Sequence, residues 1–184
     1  MIATFPVRYG CALIECWETW ERQTASGAVE SEQSVSLRAP VVEFSDVGAQ
    51  HLGQAYWHEV EQVTRRVVRA RVRNGSLELR LLGKGPALLC FGAPQIEATN
   101  ELASCRYPIR GGLLARRSTG EIVFAQVGSS SPVLRSTIRG FFPRFAARQG
   151  ERDWTGALYN KVQSRIHVAV SRRYFARLIA EGQG

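Results

Sequence analysis

The chain is expected to fold as an α+β protein: a curved antiparallel sheet of six or seven strands gripping a long C-terminal helix. Three observations predict this. Short segments that alternate apolar and polar residues follow one another over residues 62–145. One pair of them forms a hairpin whose register checks itself. A single long amphipathic stretch, residues 155–180, then closes the sequence. A lipocalin-like closed barrel is the alternative use of the same strands.

The hairpin is the sharpest local signal. Val68, Ala70 and Val72 alternate with Arg69, Arg71 and Arg73; Asn74-Gly75 follows; then Leu77, Leu79 and Leu81 alternate with Glu78 and Arg80. Asn-Gly favours a two-residue turn because both central positions need positive φ. Placing Arg73 opposite Ser76 sets Val72 on Leu77, Ala70 on Leu79 and Val68 on Leu81, so one face is wholly apolar and the other pairs Arg71 with Glu78. A one-residue slip would destroy that arrangement.

The other elements follow in order. Leu13, Ile14, Trp17 and Trp20 recur at helical spacing and predict a short helix over residues 11–23. Residues 24–33 are small and polar and read as a loop. Val35, Leu37, Ala39 and Val41 alternate up to a break at Pro40, which predicts a strand over residues 34–44 ending near the proline. Ser45-Asp46 suits the start of a short helical piece running toward Tyr56-Trp57. Past the hairpin, Gly83-Lys84-Gly85-Pro86 makes a turn, and residues 87–91 form an apolar strand. Residues 95–110 read as one extended stretch whose phase changes between Ala98 and Cys105, which suggests a bulge or bend. Residues 113–115 and 122–127 flank Ser118-Thr119-Gly120 as a second hairpin. Leu134, Ser136, Ile138, Gly140 and Phe142 share one face of the last strand. In the closing helix, Leu158, Val162, Ile166, Ala169 and Val170 form the apolar stripe. Its 26 residues span roughly 39 Å at 1.5 Å per residue.

The 184 residues, 45% hydrophobic and 22% charged, suit one core-bearing domain. Residues 1–33 are expected to be an N-terminal extension that holds the short helix, and residues 34–184 a single sheet-plus-helix domain. No apolar run reaches the roughly 20 residues a membrane helix needs. The first residues lack a basic region followed by an apolar stretch. A cytoplasmic protein is expected, with Cys11, Cys16, Cys90 and Cys105 as inert thiols. Their spacing is a poor zinc pattern, and neither a metal nor a cofactor is expected.

Charge is polarised. Residues 1–61 hold three arginines against nine carboxylates, a net of −6. The remainder holds 21 basic residues against 7 acidic ones, a net of +14. Candidate anion-binding residues are Arg69, Arg71, Arg116 and Arg172, since guanidinium groups clamp phosphate or carboxylate through two parallel hydrogen bonds. Tyr107, Phe141, Phe142, Phe145, Tyr174 and Phe175 lie near basic residues, a pairing that suits single-stranded nucleic acid. Strand arginines alternating with apolar residues equally describe a solvated sheet face.

No catalytic pattern stands out. His58-Glu59 lacks a second histidine at helical zinc-site spacing. Gly83-Lys84-Gly85 is not a phosphate loop, and Ser129, Ser130 and Ser131 lack the strand-to-helix setting of an activated serine.

The run Cys105-Arg106-Tyr107-Pro108-Ile109-Arg110-Gly111-Gly112-Leu113-Leu114, the strands to Val127 and Phe142, and the helix ending Ser171-Arg172-Arg173-Tyr174-Phe175 resemble the last strands and closing helix of the START-related helix-grip (SRPBCC) superfamily. The resemblance is one of element order over residues 34–180, so no functional residue carries over. It implies a seven-stranded curved sheet gripping a C-terminal helix around an apolar cavity, with lipid or hydrophobic small-molecule binding and, in some members, cyclase-type catalysis. The expected function is a non-enzymatic binding module for a hydrophobic small molecule or lipid, neutral or anionic. Leu79, Leu81, Ile109, Ile138, Phe142, Val162 and Ile166 are the expected lining. The alternatives are an interaction or nucleic-acid-binding protein with an arginine-rich face, making weak polyanion contacts, and a cyclase-type cavity enzyme.

Overall fold

Asn74 and Gly75 take φ of 50° and 74° and reverse the chain between β4 (Val68–Arg73) and β5 (Ser76–Leu81). The register is the one the alternation requires: Val72 opposite Leu77, Ala70 opposite Leu79, Val68 opposite Leu81. Arg71 stands opposite Glu78, but the Glu78 carboxylate is engaged by Arg80 at 2.6 Å instead. The computed structural model describes residues 3–4, 14–144 and 154–182, with side chains described from 17 to 144 and from 168 to 182.

The remaining strands are β1 (Ala3–Thr4), β2 (Ile14–Gln23), β3 (Val29–Leu37), β6 (Ala87–Phe91), β7 (Gln95–Thr99), β8 (Leu102–Gly111), β9 (Glu121–Val127) and β10 (Val133–Phe141). Helix α1 is Asp46–Val63 and α2 is Trp154–Glu181. The strands pair antiparallel in the order β1-β2-β3-β10-β9-β8-β6-β5-β4, and β7 joins the same edge of β8 that β6 uses. Among the described residues ten strands replace the expected six or seven, and their order has two ends, β1 and β4, that do not pair with each other, so they do not close into a barrel.

Several expectations are corrected. Residues 14–23 form a strand paired along β3, not a helix: Trp17 is buried while Trp20 is only partly so, and opposite faces for residues three apart fit a period of two. The expected loop at residues 24–33 narrows to a tight turn, and its second half belongs to β3. The stretch after Leu37 leaves the sheet; Val41 and Val42 donate their backbone N–H groups to Gln126 Oε1 at 2.8 and 3.2 Å, and Gln126 Nε2 donates to Val42 O at 2.8 Å. The phase change near Ala98 is a hairpin turn at Asn100-Glu101, not a bulge. Residues 113–115 form no strand; Ala115 makes one isolated bridge to Pro143. The bulge falls in β10 between Ile138 and Phe141, so Phe141 points inward and is buried, and Phe142 lies past the strand end.

Both helices lie on one sheet face, because Tyr56 of α1 and Tyr174 of α2 both pack on Phe124 of β9, with ring centroids 4.3 and 5.7 Å away. Ser45 caps α1 by accepting from the Gly48 N–H at 3.2 Å. α1 runs on to Val63, beyond the expected end at Tyr56-Trp57. Gly53 lets it press on β8: a Cβ there would lie 2.7 Å from the Tyr107 hydroxyl and 2.8 Å from Cys105 Sγ. Among the described side chains of α2 the buried positions are Val170, Ser171, Tyr174, Phe175, Leu178 and Ile179, two rows at steps of four. That face continues past the expected stripe, whose Leu158, Val162 and Ile166 side chains lie outside the described residues. The helices are tied by charge. The buried Glu59 carboxylate accepts from Arg173 Nε at 2.9 Å and faces Arg177 Nη1 at 3.6 Å, and Glu181 is held by Arg177 and His51. Among the described residues no helix is long and apolar enough to cross a membrane.

Candidate apolar cleft between helix α1 and the β4–β5 hairpin

The hairpin reaches further than the helix that covers it. β4 is the free edge, and α1 passes over its base, where Glu61 Oε1 accepts from the Ala70 N–H at 2.8 Å. That bond occupies an edge donor which would otherwise invite another strand. Toward the tip the cover from the described residues is uneven: Val72 is 76% exposed, while Leu77 opposite it is buried. A cleft of about 450 Å³ opens there. Its walls are Ala70, Val72, Leu77 and Pro94, and Trp57 with Tyr107 forms the floor. Those two rings meet edge to face at 5.2 Å, a geometry aromatic pairs favour. Gln54, His58 and Ser76 supply polar groups at the mouth.

The titrating groups beneath the cleft are held neutral. Burial, followed by the neighbouring Cys105, raises the Tyr107 phenol far above its ordinary range. Burial likewise pushes the Cys105 thiol up to about 11 and raises Tyr56 and Tyr174. Neither a thiolate nor a phenolate is therefore ready as a nucleophile at neutral pH. Among the described residues no group of three His, Cys, Asp or Glu side chains is placed to hold a metal ion.

The sequence-predicted lining is dispersed. Leu79 and Ile109 are buried within the core cluster, and Ile138 packs half-buried against it. Leu81 is 36% exposed at the base of the hairpin, opposite Val68. Phe142 lies beneath Arg117, whose Cζ is 4.2 Å from its ring centroid, a cation–π contact. The Val162 and Ile166 side chains lie outside the described residues. None of the five whose side chains are described lines the 450 Å³ cleft. The predicted arginines occupy three separate places. Arg69 and Arg71 lie on β4; Arg116 is exposed after β8, its backbone N–H donating to Phe142 O at 2.7 Å; Arg172 sits over the Trp17 ring at 6.0 Å. Of the aromatics near basic residues, Tyr107, Phe141, Tyr174 and Phe175 are buried, so they present no face for base stacking; Phe145 lies outside the described residues.

Sequence reasoning missed Trp57, Tyr107, Gln54 and His58 as neighbours of one cleft. The available signal was the uncovered apolar side of Val72 in a hairpin whose register was already determined. A buried polar seam was also missed. Ser171 Oγ donates to Gln33 Oε1 at 2.8 Å beneath α2. The hydroxyls of Ser31, Ser136 and Tyr174 nearby are buried with no hydrogen-bond partner among the described residues, an arrangement that internal water commonly relieves. No protein-family model matches the chain, and no curated protein matches it.

Proposed function

We propose that the protein is a binding module for a small, mainly hydrophobic molecule that enters the cleft between α1 and the β4–β5 hairpin. The observation that carries this reading is the cleft itself: about 450 Å³ with apolar walls and an aromatic floor. Ligand sites commonly measure about 300–1,000 Å³, with few polar groups among apolar ones. A polar end of the ligand would meet His58, Gln54 and Glu61, which also line the cleft. A helix-grip relationship is supported by the later order of elements, α1 followed by a run of antiparallel strands and a closing helix on the sheet, although three strands rather than one precede α1. A cytoplasmic setting is supported by the free thiols of Cys90 and Cys105. Cyclase-type catalysis is the weaker reading because the buried phenols and thiol are held neutral. A nucleic-acid-binding role is weaker because four of the aromatics near basic residues are buried in the core.

The test is a thermal-shift titration with naphthalene, decanoate and an anilinonaphthalene sulfonate. A ligand that prefers the native state adds RT ln(1 + [L]/Kd), about 2.7 kcal/mol at a hundredfold excess over Kd. At least one probe should raise the Tm of the wild type and leave that of Val72→Asp unmoved, while the unliganded Tm values agree, since Val72 is mostly exposed. No shift with any probe, or an equal shift in Val72→Asp, rejects the cleft as the site.

A further inference from the structure

On the opposite face of the same hairpin, we propose that Arg69, Arg71, Arg80 and Lys84 form a binding site for a small multivalent phosphate, centred on the turn between β5 and β6. The register sets Arg69 directly opposite Arg80, and like charges in that relation destabilise a strand pair. Glu78, which stands opposite Arg71, is engaged by Arg80 at 2.6 Å. The polar contacts of Arg69 and Arg71 are long ones to backbone carbonyls, Arg66 O at 3.4 Å and Ala70 O at 3.3 Å. Among the described residues, two guanidinium groups thus stand without a carboxylate partner beside a third.

A solvated row of arginines would splay into water, yet these two side chains converge. A Cβ on Gly83 would lie 3.0 Å from Arg71 Nη2 and 3.1 Å from Arg69 Cδ. Both arginines therefore rest against Gly83, a turn position without a side chain, at a φ of 75° that favours glycine. Arg80 Nη1 donates to Gly85 O at 2.8 Å and ties the far side of the turn to β5. Lys84 adds a fourth cation between the two glycines. Converging guanidinium forks offer several N–H donors to an anion with several oxygens, which suits a phosphate chain better than a single carboxylate. The site lies apart from the apolar cleft, whose lining includes none of these four residues, so the two readings stand or fall separately.

Calorimetric titration with tripolyphosphate at constant ionic strength tests it. Wild type should bind with a Kd below about 1 mM, roughly −4 kcal/mol or better. Arg69→Gln with Arg71→Gln should weaken binding at least tenfold. Gly83→Ala should weaken binding by a smaller factor without changing any charge, because its methyl group would press on Arg71 Nη2 and Arg69 Cδ, 3.0 and 3.1 Å away. Arg135→Gln with Arg139→Gln, on β10, should stay within twofold of wild type. Thermal melts establish that each variant is folded. Absence of binding, equal losses in the β10 variant, or full binding by folded Gly83→Ala overturns the site. A single-stranded oligonucleotide that binds more tightly than tripolyphosphate and keeps its affinity in Arg69→Gln/Arg71→Gln also overturns it, in favour of a diffuse nucleic-acid surface.

Discussion

The two ends of the sheet share one sequence pattern and differ in what covers it. Around β8, β9 and β10 the inward side chains meet both helices. Phe124 touches the rings of Tyr56, Trp57, Tyr107 and Tyr174 and is fully buried. At the β4–β5 hairpin the same alternation puts Ala70, Val72, Leu77 and Leu79 on the inner face, but α1 covers only its base. Leu77 and Leu79 are buried, and Val72 is not. An apolar alternation thus defines a face without saying whether it packs as core or lines a cleft. The position of the covering helix decides.

That contrast can be broken most forcefully at its centre. Phe124→Ala is expected to cost about 3–5 kcal/mol, the range for truncating a buried aromatic. Val72→Ala should stay within about 0.5 kcal/mol, as exposed positions do. Urea unfolding of the two variants measures both, and similar losses would erase the distinction between the ends.

The charged tie between the helices should be asymmetric. Arg173→Ala with Arg177→Ala leaves the Glu59 carboxylate, 6% exposed, without its partners, and should cost about 3 kcal/mol, the low end for stranding a buried charge. Glu59→Gln leaves behind arginines that are 61% and 33% exposed and should cost about 1 kcal/mol. Equal losses by thermal or urea unfolding would place the stabilisation in the arginine stems instead.

The smallest effect is one of pH. Burial raises the Glu181 carboxyl, but its hydrogen bonds with Arg177 and His51 outweigh that and hold it below its ordinary 4.5. Its folded form therefore binds protons less readily than its unfolded form. The contribution is present above pH 4.5 and is lost as pH falls through the lowered value. Wild type should melt slightly above Glu181→Gln at pH 6, and the gap should shrink as the pH falls below 4.5. A gap that widens in acid would contradict the assignment.

What was legible in the sequence follows the same contrast. The hairpin register could be read to the residue because Asn74-Gly75 and the flanking alternation specify it locally. The closing helix was legible as a helix, but its deepest face was not, since Tyr174 and Phe175 directly follow Arg172 and Arg173 and read as surface. Strand β2 was mistaken for a helix because its Trp17 and Trp20 stand three apart, and as strand residues they take opposite faces. The turn between β7 and β8 carries Asn100-Glu101 with no glycine or proline to mark it. The bulge in β10 exchanged Phe142 for Phe141 on the inner face. The cleft lay beyond sequence reasoning for a simpler reason: it exists because α1 stops short of the hairpin tip, a relation between segments that no local pattern encodes.

The central claim is that the uncovered hairpin face is the binding site, and amide chemical-shift mapping tests it most directly. On adding whichever apolar probe stabilises the protein, the account predicts perturbed amides in α1 from Gln54 to Glu61 and in the hairpin from Ala70 to Leu77. Amides of β3 and β10 from Ser31 to Leu37 and from Leu134 to Ile138 should stay in place. Perturbations concentrated on β3, β10 and α2, with the hairpin unmoved, would contradict the account and place the ligand between the final strand and the closing helix.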